Sequence, residues 1–168
     1  MRLLLILSLL LAPVESRIRS IENLIRSLSK ETAIVFDLEG NELGSLSGTE
    51  DGFFAPFVVI RLMKDKIVTH NHPTRNLPYF SLRDIVFASY ANVQQMRVVG
   101  WLNNQAYLCI ADRGKALTWA TGFPPLDDRN LNQQKEDPAL DWQVNNNPRV
   151  EWEILFRVWG IDYHCEYV

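Results

Sequence analysis

His70-Asn71-His72-Pro73 and Ser81-Leu82-Arg83-Asp84 hold the residues best suited to chemistry. In an extended backbone, residues i and i+2 point to the same side, so the imidazoles of His70 and His72 can face one point. Asp84 follows them closely in the chain. Two imidazole nitrogens and one carboxylate oxygen make a three-ligand zinc site whose fourth position stays open for water. Catalytic zinc takes this form. Hydrolysis at such a site also needs a carboxylate that moves protons without binding the metal, and Glu31 is the candidate.

These residues have to be placed by folded elements. The chain has 168 residues, enough for one domain with a substantial core. It is 47% hydrophobic and 22% charged, which is the balance of a folded globular protein. The formal net charge of -3, with no basic stripe, argues against binding to a phosphate backbone. Cys109 and Cys165 sit in no C-x-x-C pair and make no disulfide framework; Cys109 reads as a buried small hydrophobe in an apolar run. Met1-Arg2, the apolar run Leu3 to Ala12, and Pro13 have the layout of a signal peptide, with a cut after Val14-Glu15-Ser16. The alternative readings of residues 1–16 are a buried N-terminal helix or the tail of a larger protein. The run is too short to span a bilayer.

Ile18, Ile21, Leu24, Ile25 and Leu28 recur at helical spacing, and Arg17, Arg19, Glu22, Arg26 and Lys30 fill the other face. Thr32 to Leu38 reads as a buried strand, Glu39-Gly40-Asn41 as a turn and Glu42 to Ser47 as a second strand. Pro56 to Lys64 reads as a short helix. Ile67-Val68-Thr69 is a strand that ends at the histidines. Ser81 opens a helix that runs to about Asn92, with Ile85, Val86, Ala88 and Ser89 facing inward. Met96 to Gly100 and Ala106 to Ala111 are strands joined by an Asn103-Asn104 hairpin turn. Thr121 to Asn147 reads as a loop-rich arm. Val150 to Trp159 reads as a helix that carries Trp152, Leu155, Phe156 and Trp159 on one face and stops at Gly160. The order implies a mixed α/β layer around a central sheet. The ligands then fall at a strand end and the start of the next helix, where open α/β sheets place their sites.

The pattern Glu31…His70-x-His72-Pro73…Ser81-x-x-Asp84 resembles the JAMM motif of the JAB/MPN metallopeptidases. His-Asn-His-Pro is closest to the RadC-like branch, and the segment is also similar to JAB-like domains of phage head-associated and toxin-like proteins. The likeness spans Glu31 to about Ile110, about half of the chain. Glu31 is assigned by position, at the entry to the first strand after an amphipathic helix. The loop from Pro73 to Phe80 is longer than the family pattern leads one to expect.

The resemblance implies a JAB/MPN-like (cytidine-deaminase-like) fold for a domain placed at residues 17–120; the composition and periodicity of residues 121–168 make them a loop-rich arm and an aromatic helix packed on that domain. The resemblance also implies zinc (Zn2+) held by His70, His72 and Asp84, and Glu31 as the base that passes a proton from water to the leaving amine. Ser81 would donate to the oxyanion of the tetrahedral intermediate. The substrate would be a protein or peptide amide, isopeptide bonds included.

Plainer readings stand beside these. Ser81-x-x-Asp84 by itself is a helix capping box, and Glu31 by itself is a helix-end surface carboxylate. Asn71 reads as a surface residue or as one that supports the ligands. His164 reads as structural or exposed. At the level of function, the alternative is a non-catalytic JAB-like binding or structural module in a phage-head or DNA-processing assembly. A secreted effector is a third reading, and it requires a true signal peptide. HNH nucleases space their motif residues apart. The chain also lacks H-E-x-x-H, H-x-E with P-C-x-x-C, and a P-loop, so these classes are set aside.

Overall fold

The central strands of this chain are largely apolar at consecutive positions, and their two sets of alternate residues go to different cores. The computed structural model describes residues 13–49, 55–73, 78–114, 119, 153 and 156–168. Helix α1 is Val14–Ile25, and strands β1 (Thr32–Phe36) and β2 (Glu42–Ser47) follow it. Helix α2 is Phe57–Leu62, β3 is Ile67–Asn71 and α3 is Leu82–Ala91. Strands β4 (Gln95–Leu102), β5 (Gln105–Asp112) and β6 (Asp162–Tyr167) complete one six-stranded sheet in the order β2-β1-β3-β4-β5-β6. Only β3 and β4 run parallel, joined through α3; every other neighbouring pair is antiparallel. The fold is therefore a mixed α/β sheet with helices on both faces.

On one face, Ile34, Phe36, Ile67, Val99, Leu108 and Ile110 pack with Ile18 and Ile25 of α1. On the other, Ala33, Val35, Val68, Met96, Val98 and Ala111 pack with Ile85, Val86 and Ala88 of α3 and with Trp119 and Phe156. Covering both faces explains why the central strands read as continuous apolar runs.

The helix before β1 departs from its sequence reading. Glu22, expected on the outer face, is buried, whereas Leu24 is 71% exposed. The reason lies on the sheet. Arg97 of β4 faces α1, and its Nε lies 2.6 Å from Glu22 Oε1. Thr69 of β3 donates to the same oxygen at 2.9 Å. Arg97 also pairs with Glu15 at 2.8 Å. A buried charge needs such partners, and they rotate the helix. Val14–Ser16, next to the proposed cut, form the first turn of α1, and Glu15 within it is one of the two carboxylates on Arg97. The apolar run Leu3 to Ala12 lies outside the described residues.

The hairpin between β4 and β5 turns at Asn103 and Asn104, both with positive φ, as the asparagine pair leads one to expect. Gly40 has φ +76° in the turn before β2, and a Cβ there would meet Val14 Cγ1 at 3.0 Å. The predicted arm from Thr121 to Asn147 lies outside the described residues, as do Trp152 and Leu155. Phe156 is buried in the helical turn at 156–159, and Gly160 follows with φ +71°.

The C-terminus differs most from the sequence reading. Residues 162–167 form edge strand β6, paired with β5 so that Cys109 lies opposite Cys165. The two cysteines form a disulfide. Cys109 is thus not a free buried hydrophobe, and neither cysteine is a thiol. Among the described residues no helix is long and apolar enough to cross a membrane.

Candidate metal centre

Side-chain alternation along β3 builds the site. Val68 faces the α3 side of the sheet, so His70 faces it too, and His72 continues the row one step past the strand end. Thr69 and Asn71 face α1 instead. The strand ends beside the start of α3, which delivers Asp84. Across the sheet, β1 pairs with β3 through Ala33 opposite His70. Glu31, two residues before Ala33, therefore points to the same side as the histidines.

The structure brings Glu31, His70, His72 and Asp84 together, all buried, with one potential ligand atom from each within 4.8 Å of the others. His70 Nε2 and His72 Nε2 are 3.3 Å apart. Asp84 Oδ1 lies 3.2 Å from His70 Nε2, and Oδ2 lies 3.3 Å from His72 Nε2. The donor set suits a metal ion. Zinc with bonds of about 2.0–2.1 Å in a tetrahedron has ligand atoms roughly 3.3 Å apart, which is the spacing found here. The set of two imidazoles and carboxylate oxygens is also one that borderline divalent metals accept.

Electrostatics separates the two carboxylates. Burial pushes the Asp84 carboxyl up, but the charges and hydrogen bonds of His70 and His72 outweigh it and hold Asp84 well below the usual carboxylate range. Burial pushes the Glu31 carboxyl up. The histidines oppose this without cancelling it, and the negative charge of Asp84 adds to the rise. Asp84 is thus held as an anion, while Glu31 is biased toward carrying a proton.

Ser81 plays a local part. Its hydroxyl donates to Asp84 Oδ2 at 2.8 Å, its backbone N–H donates to the same oxygen at 2.6 Å, and its Oγ accepts from the Asp84 N–H at 3.3 Å. This is the complete capping box that the spacing of serine and acid announced. The cap fixes the carboxylate beside the histidines. Phe80, fully buried, has its ring centroid 6.5 Å from that of His70, meets Phe156 edge to face and lies at a tilt to Tyr163. Pro78, shortly before α3, lies close over β4. A Cβ on Gly100 would come within 2.9 Å of Pro78 Cβ.

All five residues read from the sequence fall in this one place. The sequence reading left open what Asn71 does. It is fully buried, and its side chain bonds to Thr32 N, Leu28 O and Lys30 O. Its position between two residues that face the other way was the available signal. In a strand covered on both faces, a polar residue at such a position must find partners. His164, on β6, is exposed.

The fold and the site together define a class: a mixed α/β protein with a buried Glu/His/His/Asp cluster capable of holding a metal ion. No protein-family model matches the chain, and no curated protein or solved structure matches it significantly.

Proposed function

We propose that this protein is a zinc-dependent hydrolase of peptide or isopeptide bonds, with a JAMM-type constellation on a JAB/MPN-like fold. One observation carries the reading. Two imidazole nitrogens and a carboxylate stand 3.2–3.3 Å apart, and a second carboxylate with a raised pKa is within 4.8 Å. His70, His72 and Asp84 would hold the ion. Zinc supplies Lewis acidity that makes water a nucleophile near neutral pH.

The chain's own residues supply the remaining steps. Glu31 takes a proton from the attacking water. Burial raises its carboxyl above the usual value, which makes the carboxylate a stronger base than an exposed one. As water adds to the amide carbon and the C–N bond breaks, Glu31 returns that proton to the leaving nitrogen. The products are a carboxylic acid and an amine, and the acid's proton passes to the amine to leave a carboxylate and an ammonium. Ser81 donates to the carbonyl oxygen as negative charge develops there, once its hydroxyl turns away from Asp84. The Ser81 backbone N–H, which donates to Asp84 Oδ2 at 2.6 Å, keeps that carboxylate aimed at the histidines when the hydroxyl turns.

A second reading has one observation in its favour. The Ser81 hydroxyl is engaged by Asp84, as expected for a structural cap in a non-catalytic binding module of the same fold. The disulfide supports an oxidising compartment for either reading, which fits a secreted protein.

The test begins with zinc content by elemental analysis of the purified chain beside His72→Ala and Asp84→Ala. About one zinc per chain, lost in both variants, is the expected result. The wild type and Glu31→Gln are then assayed on peptide and isopeptide substrates. Hydrolysis lost in Glu31→Gln with zinc retained supports the enzyme. Zinc binding without hydrolysis of any substrate leaves the binding module, and no zinc after reconstitution refutes the proposal.

A further inference from the structure

The antiparallel ladder between β1 and β3 ends at Ala33 opposite His70. One step further, Thr32 would face Asn71 and the backbone pairing would continue toward Glu31. The Asn71 side chain takes over at that point. A carboxamide carries one acceptor, as a peptide unit does, and two N–H donors where a peptide unit has one. Its Oδ1 accepts from the Thr32 N–H at 2.7 Å, and its Nδ2 lies 3.2 Å from both the Lys30 and Leu28 carbonyl oxygens. These contacts flank Glu31 on both sides in sequence. Glu31 itself is held from the opposite side, its N–H donating to Thr49 O at 2.8 Å and its carbonyl accepting from Gly48 N–H at 2.9 Å.

We infer that Asn71 is a positioning residue: by bonding residues 28, 30 and 32 across the end of β3, it holds the Glu31 carboxylate at the His70/His72/Asp84 cluster. The inference deepens the metal-centred reading above and rests on it for its consequence. Because Asn71 lies between the two histidines, one strand end sets both the ligands and the approach of the base. The histidines do not need the Asn71 amide for their own placement. β3 is paired backbone-to-backbone with β4 as far as Asn71 opposite Val99, and His72 N–H donates to Val99 O at 2.9 Å. Removing the amide should therefore release Glu31 while leaving the ligands in place.

Two measurements test this. The first is amide hydrogen exchange on metal-free protein, comparing the wild type with Asn71→Ala and Asn71→Asp. In Asn71→Ala, Thr32 should exchange roughly tenfold faster or more, with the His72 amide unchanged. Asn71→Asp keeps the size and the acceptor but loses both donors, and it serves if the alanine variant does not fold. It should leave Thr32 protected and speed exchange at Glu31.

The second measurement is the visible absorption of protein loaded with cobalt(II) chloride, for the wild type, Glu31→Gln, Asn71→Ala and the double variant. Asn71→Ala should bind one cobalt and shift the spectrum toward that of Glu31→Gln. The double variant should match Glu31→Gln alone, because a displaced side chain has no further effect to lose. A wild-type spectrum in Asn71→Ala, or additive shifts in the double variant, overturns the inference. If the wild type binds neither cobalt nor zinc, the metal-centred reading fails, and the exchange data alone decide the role of Asn71. Unchanged exchange at Thr32 then overturns it, and faster exchange confined to residues 28–32 upholds it.

Discussion

Reducing the Cys109–Cys165 bond is the perturbation whose size follows most directly from the chain. The two residues are 56 apart in sequence. In the chain-entropy account, closing a loop of that length in the unfolded state contributes about 4 kcal/mol. β6 also pairs with β5 along its whole length, from Asp162 opposite Asp112 to Tyr167 opposite Tyr107. Reduction therefore leaves the native pairing in place and acts chiefly on the unfolded chain. For a domain of this size, about 4 kcal/mol corresponds to a fall in Tm of roughly 8–16 °C. The assay is urea unfolding of wild-type protein with and without a phosphine reductant, beside intact mass after alkylation. Unreduced protein should take up no alkyl group, and reduced protein should take up two. Two alkyl groups on folded, unreduced protein would refute the bond. An unfolding free energy that falls by less than about 1 kcal/mol on reduction would refute the loop-entropy reasoning.

Three further outcomes are expected. Zinc at about 100 times its dissociation constant should stabilise the wild type by about 2.7 kcal/mol in urea unfolding and leave His70→Ala unchanged; equal shifts in both proteins would place the metal elsewhere. Metal-free Glu31→Gln should gain stability over the wild type as pH rises. The folded protein holds the Glu31 proton above the usual carboxyl range, so the wild type binds more protons folded than unfolded, and its stability falls as pH rises through that window. Parallel pH profiles for the two proteins would contradict this. Arg97→Ala should cost about 3–5 kcal/mol by leaving Glu22 buried without its cation. A melt within about 1 kcal/mol of the wild type would show that this face of the sheet tolerates the unpaired acid.

Much of the site was written locally. Two histidines two residues apart on a strand share a side whatever surrounds them, because the strand period is two. Ser81 and Asp84 make a capping box because three residues separate N-cap from N3 at every helix start. Asn103-Asn104 turns back because asparagine tolerates positive φ. The placement of Glu22 depends on a residue far away in the chain. Helical periodicity places an acid on the outer face unless a cation waits on the inner one, and Arg97 lies 75 residues further along. The partners of Asn71 lie 39–43 residues before it, so its burial could be suspected but its partners could not be named.

The sequence by itself determined the side-chain types, the strand and helix periods, and the pairing of His70 with His72 on one side. Those depend on backbone geometry over a few residues. Only the tertiary structure decided that Glu31 meets the histidines, that Asp84 closes the cluster at 3.2–3.3 Å, and that Cys109 finds Cys165. Those juxtapositions depend on which strands lie side by side. Strand order is set by burying both faces of the sheet at once, and no local stretch of the chain carries that requirement.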